Sequence, residues 1–175
     1  MSWRKMKHLV SKTSNSSLSK FTDVQIQPNA IDLRIDKVFK INPRTLFSIS
    51  EEGKSHRETT PVETTTHSSN RIDEEWFELD AGQYEIIMEG IIDIAEGEAG
   101  WVITRSSLNR NGVFITSGLY DSGYTGVMAG CLHVPGKTRI RRGTRVGQFL
   151  LFDAENLTMY DGSYGVGKEH DEKYN

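Results

Sequence analysis

The 175-residue chain has one cysteine, Cys131. A single thiol excludes an internal disulfide and a cysteine-built zinc site, and it suits a reducing compartment. Nor is there an apolar run near the ~20 residues that span a bilayer. Residues 1–20 carry Trp3, Arg4, Lys5 and Lys7 but no apolar core of signal-peptide length. Together these absences lead us to expect a cytoplasmic protein. Positive charge is not in surplus either. The net charge of −3 argues against a general nucleic-acid or membrane surface, so any anion site must be a local basic cluster. Apolar residues are sparse overall, at 36%, which fits a chain with polar loops or mobile ends. They nearly vanish from 50 to 73, which predicts a long, mobile loop. His56 and His67 lie there without the partner spacing that zinc requires, and they read as solvated.

What remains is the material of one β domain spanning 1–175. Met1 to Leu9 could form a short amphipathic helix, and the serine-rich stretch to Lys20 a connector. From Ile31 the apolar residues alternate with charged ones: Ile31, Leu33 and Ile35 against Asp32, Arg34 and Asp36. That is the period of a half-buried strand. Strand character continues to Ile49 with a break at Asn42-Pro43, and resumes at Trp76–Leu79, Tyr84–Met88 and Ile91–Ile94. It returns at Trp101–Ile103, Val113–Ile115, Val127–Val134 and Val146–Phe152. Fifteen of the 16 glycines fall at or after Gly82, punctuating strands at intervals of roughly ten residues. That spacing marks an all-β sandwich or barrel.

The stretch from Trp101 to Gly126, WVITRSSLNRNGVFITSGLYDSGYTG, concentrates the chemistry. A strand ends on Arg105-Ser106-Ser107, a cation and two hydroxyls with backbone N–H groups, suited to an anionic ligand. Asn111-Gly112 is a hairpin-type turn. Gly118 and Gly123 bracket Asp121, allowing backbone and ligand to approach closely. Taken alone, the segment could equally be a β-hairpin with polar turns, and Asp32 and Arg34 a solvated strand face.

RSSLNRNGV followed by GLYDSGYTG resembles the paired signature of the dUTPase and dCTP deaminase superfamily. QPNAIDLRI resembles its first motif in the deaminase-type form, and RGTRVGQFLLF its fourth. The resemblance runs from Gln25 to Gly167 and implies a distorted jelly-roll-like β-barrel with a flexible, glycine-rich C-terminal tail from Tyr160 that folds over bound nucleotide. It implies a homotrimer with sites between subunits, a deoxynucleoside triphosphate substrate, and Mg²⁺ carried mainly by the phosphates, with Asp32 nearby through water. Asp121 would be the water-activating base. Arg105, Ser106, Ser107 and Gln148 would bind phosphate, Arg110 matches the deaminase branch, and Tyr124 matches a ring packed on the sugar. Tyr160 and Tyr164 belong to the tail that would close over the nucleotide, and backbone around Gly118 to Tyr120 would meet the base.

Three functions compete on this frame: hydrolysis of dUTP, deamination of dCTP, and nucleotide sensing without turnover. The metal-free deaminases of the superfamily use a glutamate on the strand after the aspartate motif. Cys131 falls at that place, and Val127–Val134 has no acidic residue. A thiol is a poor substitute for a carboxyl that shuttles protons, so dUTP hydrolysis is the expectation. The tail departs from the deaminase pattern at Ser163 and Gly167. Retention of Asp121 favours an enzyme over a sensor.

Overall fold

The computed structural model describes residues 6–7, 14–69 and 72–174. Strands run in the order β1 (Met6–Lys7), β2 (Ser17–Leu18), β3 (Ile31–Ile41), β4 (Ser48–Ser50), β5 (Gly53–Ser55), β6 (Thr59–Pro61), β7 (Thr65–Ser69) and β8 (Ile72–Leu79). They continue with β9 (Gly82–Asp93), β10 (Glu98–Thr104), β11 (Phe114–Thr116), β12 (Leu119–Tyr120), β13 (Thr125–Val134), β14 (Thr138–Arg141) and β15 (Arg145–Asp153). One helical turn, α1 (Ser106–Asn109), and 3₁₀ turns at Asp23–Gln25 and Glu169–Tyr174 complete the described elements. The expected all-β architecture is what the chain adopts.

A large antiparallel sheet has the order β11-β13-β9-β3-β15-β10-β12, with β1, β2 and β6 pairing along it. It curls over a core to which a smaller sheet, β14-β8-β7, contributes Phe77, Leu79 and Ile140. Period-two alternation decides the facing. On β3, Ile31, Leu33 and Ile35 point into that core, and on β15 so do Phe149 and Leu151. Their neighbours Asp32, Arg34 and Gln148 are thereby forced onto the outer face. A slip of one residue would exchange the two sets, so burial fixes the register. Gly100 lets the core close: a Cβ there would fall 2.0 Å from Phe149 Cζ.

Several local expectations are corrected. Met6 and Lys7 are not helical; they pair with Phe152 and Leu151 of β15, and the rest of the expected N-terminal helix lies outside the described residues. The segment 50–73 is not one structureless loop. It forms the β4–β5 hairpin, adds β6 to the edge of β3 and pairs β7 with β8. Threonine-rich β6 and β7 are strands whose polar residues face water, so hydropathy missed them. The Trp101–Ile115 region is not a simple hairpin, because α1 intervenes and β11 pairs with β13 instead of β10. Strand β9 runs unbroken through Gly90, where two strands had been expected.

Candidate active site

On the outer face of β3, β15 and β10 the alternation leaves Asp32 opposite Gln148, and Gln148 opposite Ile103. The 3₁₀ turn at Asp23–Gln25 covers this face, and Asp32 is only 1% exposed. A carboxylate can be buried so deeply only if its lone pairs are satisfied. Gln148 Nε2 donates to Oδ1 at 3.0 Å, while Arg145 Nη1 (3.1 Å) and Arg105 Nε (3.3 Å) approach Oδ2. The alternative of a solvated strand face for Asp32 is therefore overturned.

A third guanidinium, Arg34, donates to Gln25 Oε1 at 3.1 Å and to the Gly143 carbonyl at 2.6 Å. Its partners are neutral, so three arginines balance one carboxylate and the cluster keeps two excess positive charges. Arg105 and Arg145 remain 28% and 32% exposed at the side chain, which leaves further N–H groups free to meet an incoming anion. Ser106 and Ser107 open α1 immediately after Arg105, both exposed. Of the expected phosphate-binding residues, Arg105 and Gln148 thus gather around Asp32, and Ser106 and Ser107 follow Arg105 at the start of α1. Arg110, at the other end of α1, is exposed and has no side-chain partner among the described residues.

The second group lies elsewhere. A cavity of about 730 Å³ is lined by Gly118, Leu119, Tyr120, Tyr124, Tyr160 and Tyr164, among others. Its size suits a nucleoside-sized ligand. Tyr120 and Tyr160 each pack edge-on against the Tyr124 ring, with centroids 5.3 Å apart in both cases. Tyr124 Oη donates to the Val127 carbonyl at 2.7 Å. Tyr120 Oη donates to the Ala129 carbonyl at 2.9 Å and accepts from the Ala129 N–H at 3.0 Å, tying off the bulge in β13. Burial pushes both phenols well above the ordinary tyrosine range. They are neutral donors.

Asp121 stands in the turn between β12 and β13, exposed and with no side-chain hydrogen bond or ion pair among the described residues. Backbone bonds from Gly123 to Ile94 (2.8 Å) and from Tyr124 to Asp121 (3.1 Å) hold the turn. Gly123 takes a φ of +86° there, which glycine adopts without strain. Cys131 lines the same cavity, and burial raises its thiol pKa.

The two groups sit at opposite ends of β10. Tyr120 pairs with Gly100 near its start, whereas Arg105 follows its last residue. About five residues separate those positions, roughly 17 Å at ~3.3 Å per residue. One chain therefore presents a cationic half-site and an aromatic half-site that do not meet within it.

Sequence reasoning passed over Arg145 as a site residue, and over Gln25, although Thr22 and Gln25 have the spacing of a capping box. It also took His56 as merely solvated. His56 remains exposed, but it borders the cavity with its ring 4.4 Å from that of His170 in the tail. The tail itself, expected to be flexible, is docked: Tyr160 N–H bonds Ser122, Val166 N–H bonds Thr125, and Tyr174 is buried.

No group of three or more His, Cys, Asp or Glu side chains placed to hold a metal occurs among the described residues. Asp32 offers one hard carboxylate whose oxygens already receive two arginines and Gln148. Such a donor set fits an ion that arrives on a triphosphate and keeps its waters, and does not fit a protein-built cage.

The model of the dCTP deaminase-like family matches residues 1–154. The chain is 34% identical over 142 residues to the "Probable deoxyuridine 5'-triphosphate nucleotidohydrolase" of Halobacterium salinarum, covering 81% of this chain and 84% of that protein. It is 29% identical over 153 residues to the deoxyuridine 5'-triphosphate nucleotidohydrolase of Methanocaldococcus jannaschii, covering 87% and 94%. Among solved structures, the 2'-deoxycytidine 5'-triphosphate deaminase of Agrobacterium tumefaciens superposes with a TM-score of 0.56 at 16% identity. That match covers 79% of this chain and 44% of the deaminase chain. At such identity the likeness is one of fold alone.

Proposed function

The chain belongs to the dCTP deaminase-like family, and from that premise we propose that it hydrolyses dUTP to dUMP and pyrophosphate. The relatives named as deoxyuridine triphosphate nucleotidohydrolases support this choice within the family. The observation that carries it is Cys131. The position where the superfamily's deaminases need a proton-shuttling glutamate holds a thiol whose pKa is raised by burial. The nearest acid across the strand pair, Glu85, is engaged by Lys173 and Tyr174.

In the proposed reaction, Asp121 orients a water and takes its proton as the oxygen bonds to the α-phosphorus. The bond from that phosphorus to the bridging oxygen breaks, and pyrophosphate leaves. Arg105 and Arg145, the N–H groups and hydroxyls of Ser106 and Ser107, and Gln148 take up charge on the phosphates. Asp32 keeps Arg105, Arg145 and Gln148 in place before substrate arrives, so less ordering is needed on binding. Tyr124 forms the floor under the sugar, and Tyr160 and Tyr164 close the cavity. Mg²⁺ bound to the triphosphate would neutralise part of its charge, with Asp32 the nearest carboxylate to the phosphate cluster. Arg110 stands at the exposed end of α1, available to the same anionic chain.

Because the two half-sites lie apart in one chain, we place each complete site between subunits of a homotrimer. The aromatic half comes from one copy and the cationic half from its neighbour. Incubating purified protein separately with dUTP, dCTP and dTTP and resolving the products tests the proposal. Pyrophosphate and dUMP from dUTP are expected. Ammonia from dCTP at a comparable rate would replace this reading with deamination, the alternative that Arg110 and the Gln27-to-Ile35 motif favour. No turnover of any nucleotide would point to a sensor.

A further inference from the structure

Glu85 lies on β9, with Phe39 of β3 and Cys131 of β13 as its cross-strand neighbours. It faces outward from the main core, beside a small second cluster formed by Phe39, Ile87 and Tyr174. A carboxylate on such a face would normally be left to water. Here its side chain is only 18% exposed, because the end of the chain has come back to cover it. Lys173 Nζ donates to Oε2 at 2.7 Å, and Tyr174 Oη donates to Oε1. Lys37, also on β3, donates to the Tyr174 carbonyl. The Tyr174 ring packs at 5.9 Å on Phe39. Burial, and then the bond to Glu85, holds its phenol far above the ordinary tyrosine pKa. It remains a donor.

Three residues of the sheet, Lys37, Phe39 and Glu85, therefore converge on the last turn, Glu169–Tyr174. What that turn carries faces the cavity. His170 packs against Tyr164 at 4.7 Å and against His56 at 4.4 Å. Asp171 accepts the Gly165 N–H at 2.8 Å and so shapes the glycine-rich bend before it. On the far side Lys54 sits over the Tyr164 ring at 4.3 Å and donates to Ser163 at 2.8 Å. The cavity wall on this side is thus made of tail, and the tail is anchored at its extreme end.

We propose that Glu85 is a positioning residue which, through Lys173 and Tyr174, fixes the end of the chain on β9 and so holds Tyr164 and His170 as a wall of the cavity. The role in turnover rests on the reading of that cavity as the nucleoside half of a dUTP site; the anchoring does not. Charge-assisted hydrogen bonds are about twice as strong as neutral ones; Glu85 accepts two of them, from Lys173 and Tyr174, whereas Lys37 supplies one.

Two measurements on the full-length protein separate the parts. Amide hydrogen exchange of residues 163–174, without nucleotide, reads the anchoring directly. Glu85→Ala should raise exchange there while the β9 and β13 amides stay protected, and Glu85→Gln, which keeps a bond to Tyr174, should fall between. Unchanged exchange in Glu85→Ala overturns the proposal. Kinetics then read the consequence. Glu85→Ala should raise KM for dUTP about tenfold, with kcat changed much less, the scale of one lost charge-assisted bond. In the background of Lys173→Met with Tyr174→Phe the same change should have little further effect. Full additivity, or a released tail with normal KM, would remove the positioning role and leave dUTP hydrolysis standing. If the unmodified protein does not act on dUTP, the function reading fails while the exchange result still decides the anchoring.

Discussion

Two variants, each disabling one half-site, should rescue each other in a mixed oligomer. Asp121→Asn removes the proposed base from an exposed turn where no partner depends on it, so the fold should be untouched. Turnover should fall roughly 10²-fold, the scale of general-base catalysis. Arg105→Ala removes a phosphate contact but leaves Arg145, 3.1 Å from Asp32, to keep that carboxylate paired. Loss of a charge-assisted bond at the transition state should again cost roughly 10²-fold. The separation of about 17 Å along β10 means that one chain cannot supply both groups to one substrate. In a ring of head-to-tail contacts, random assembly of equal amounts of the two chains gives about a quarter of sites both intact halves. Purifying co-expressed, differently tagged chains through both tags removes the pure trimers, and each mixed ring of three keeps one such site, so about a third of the full rate should be recovered, far above either parent. Activity equal to the mean of the parents would mean that each site lies within a single chain, and the shared-site account would be wrong.

Other consequences follow from the same contacts. Asp32→Asn removes the charge that two arginines share; because both arginines keep some water, the cost should be about 2 kcal/mol, read as a lower urea midpoint. Gly126→Ala would place a Cβ 2.5 Å from Tyr124 Oη and 2.8 Å from Gly165 Cα. It should unseat the tail and lower stability by about 1–3 kcal/mol, measured by thermal unfolding with tail proteolysis as a second readout. His56 has its pKa lowered from the ordinary 6.5, first by burial and then by the positive charges of His170, Lys54 and Lys173, with Glu85 opposing. Its proton is thus held less tightly in the docked state than in the free chain. The contact between the β4–β5 arm and the tail should be complete above about pH 6.5 and weaken as pH falls below it, visible as faster exchange at Tyr164 to His170. Constant protection across that range would detach His56 from the tail.

The parts legible in the sequence were those with a period or a motif. Alternation at Ile31–Asp36 gave both the strand and the facing of Asp32, and glycine spacing gave the β body. Of the residues the motifs singled out, Arg105 and Gln148 share Asp32, and Tyr124, Tyr160 and Tyr164 line one cavity. Two kinds of feature were hidden. Polar edge strands such as Thr59–Pro61 owe their structure to backbone pairing, which leaves no hydrophobic signature. Long-range polar contacts, such as Gln25 with Arg34 or Glu85 with Tyr174, join residues that no local pattern relates. The terminal EHDEKYN reads as a solvated tail until β9 supplies a carboxylate for it. Likewise the division of the site between the ends of β10 becomes apparent only once register is known.

The central claim is that water attacks the α-phosphorus of dUTP. Turnover in water enriched in heavy oxygen, followed by mass analysis of both products, tests it most directly. The label should enter dUMP and be absent from pyrophosphate, with no ammonia released from dCTP under the same conditions. Label in pyrophosphate, or ammonia from dCTP at a rate matching dUTP turnover, would contradict it.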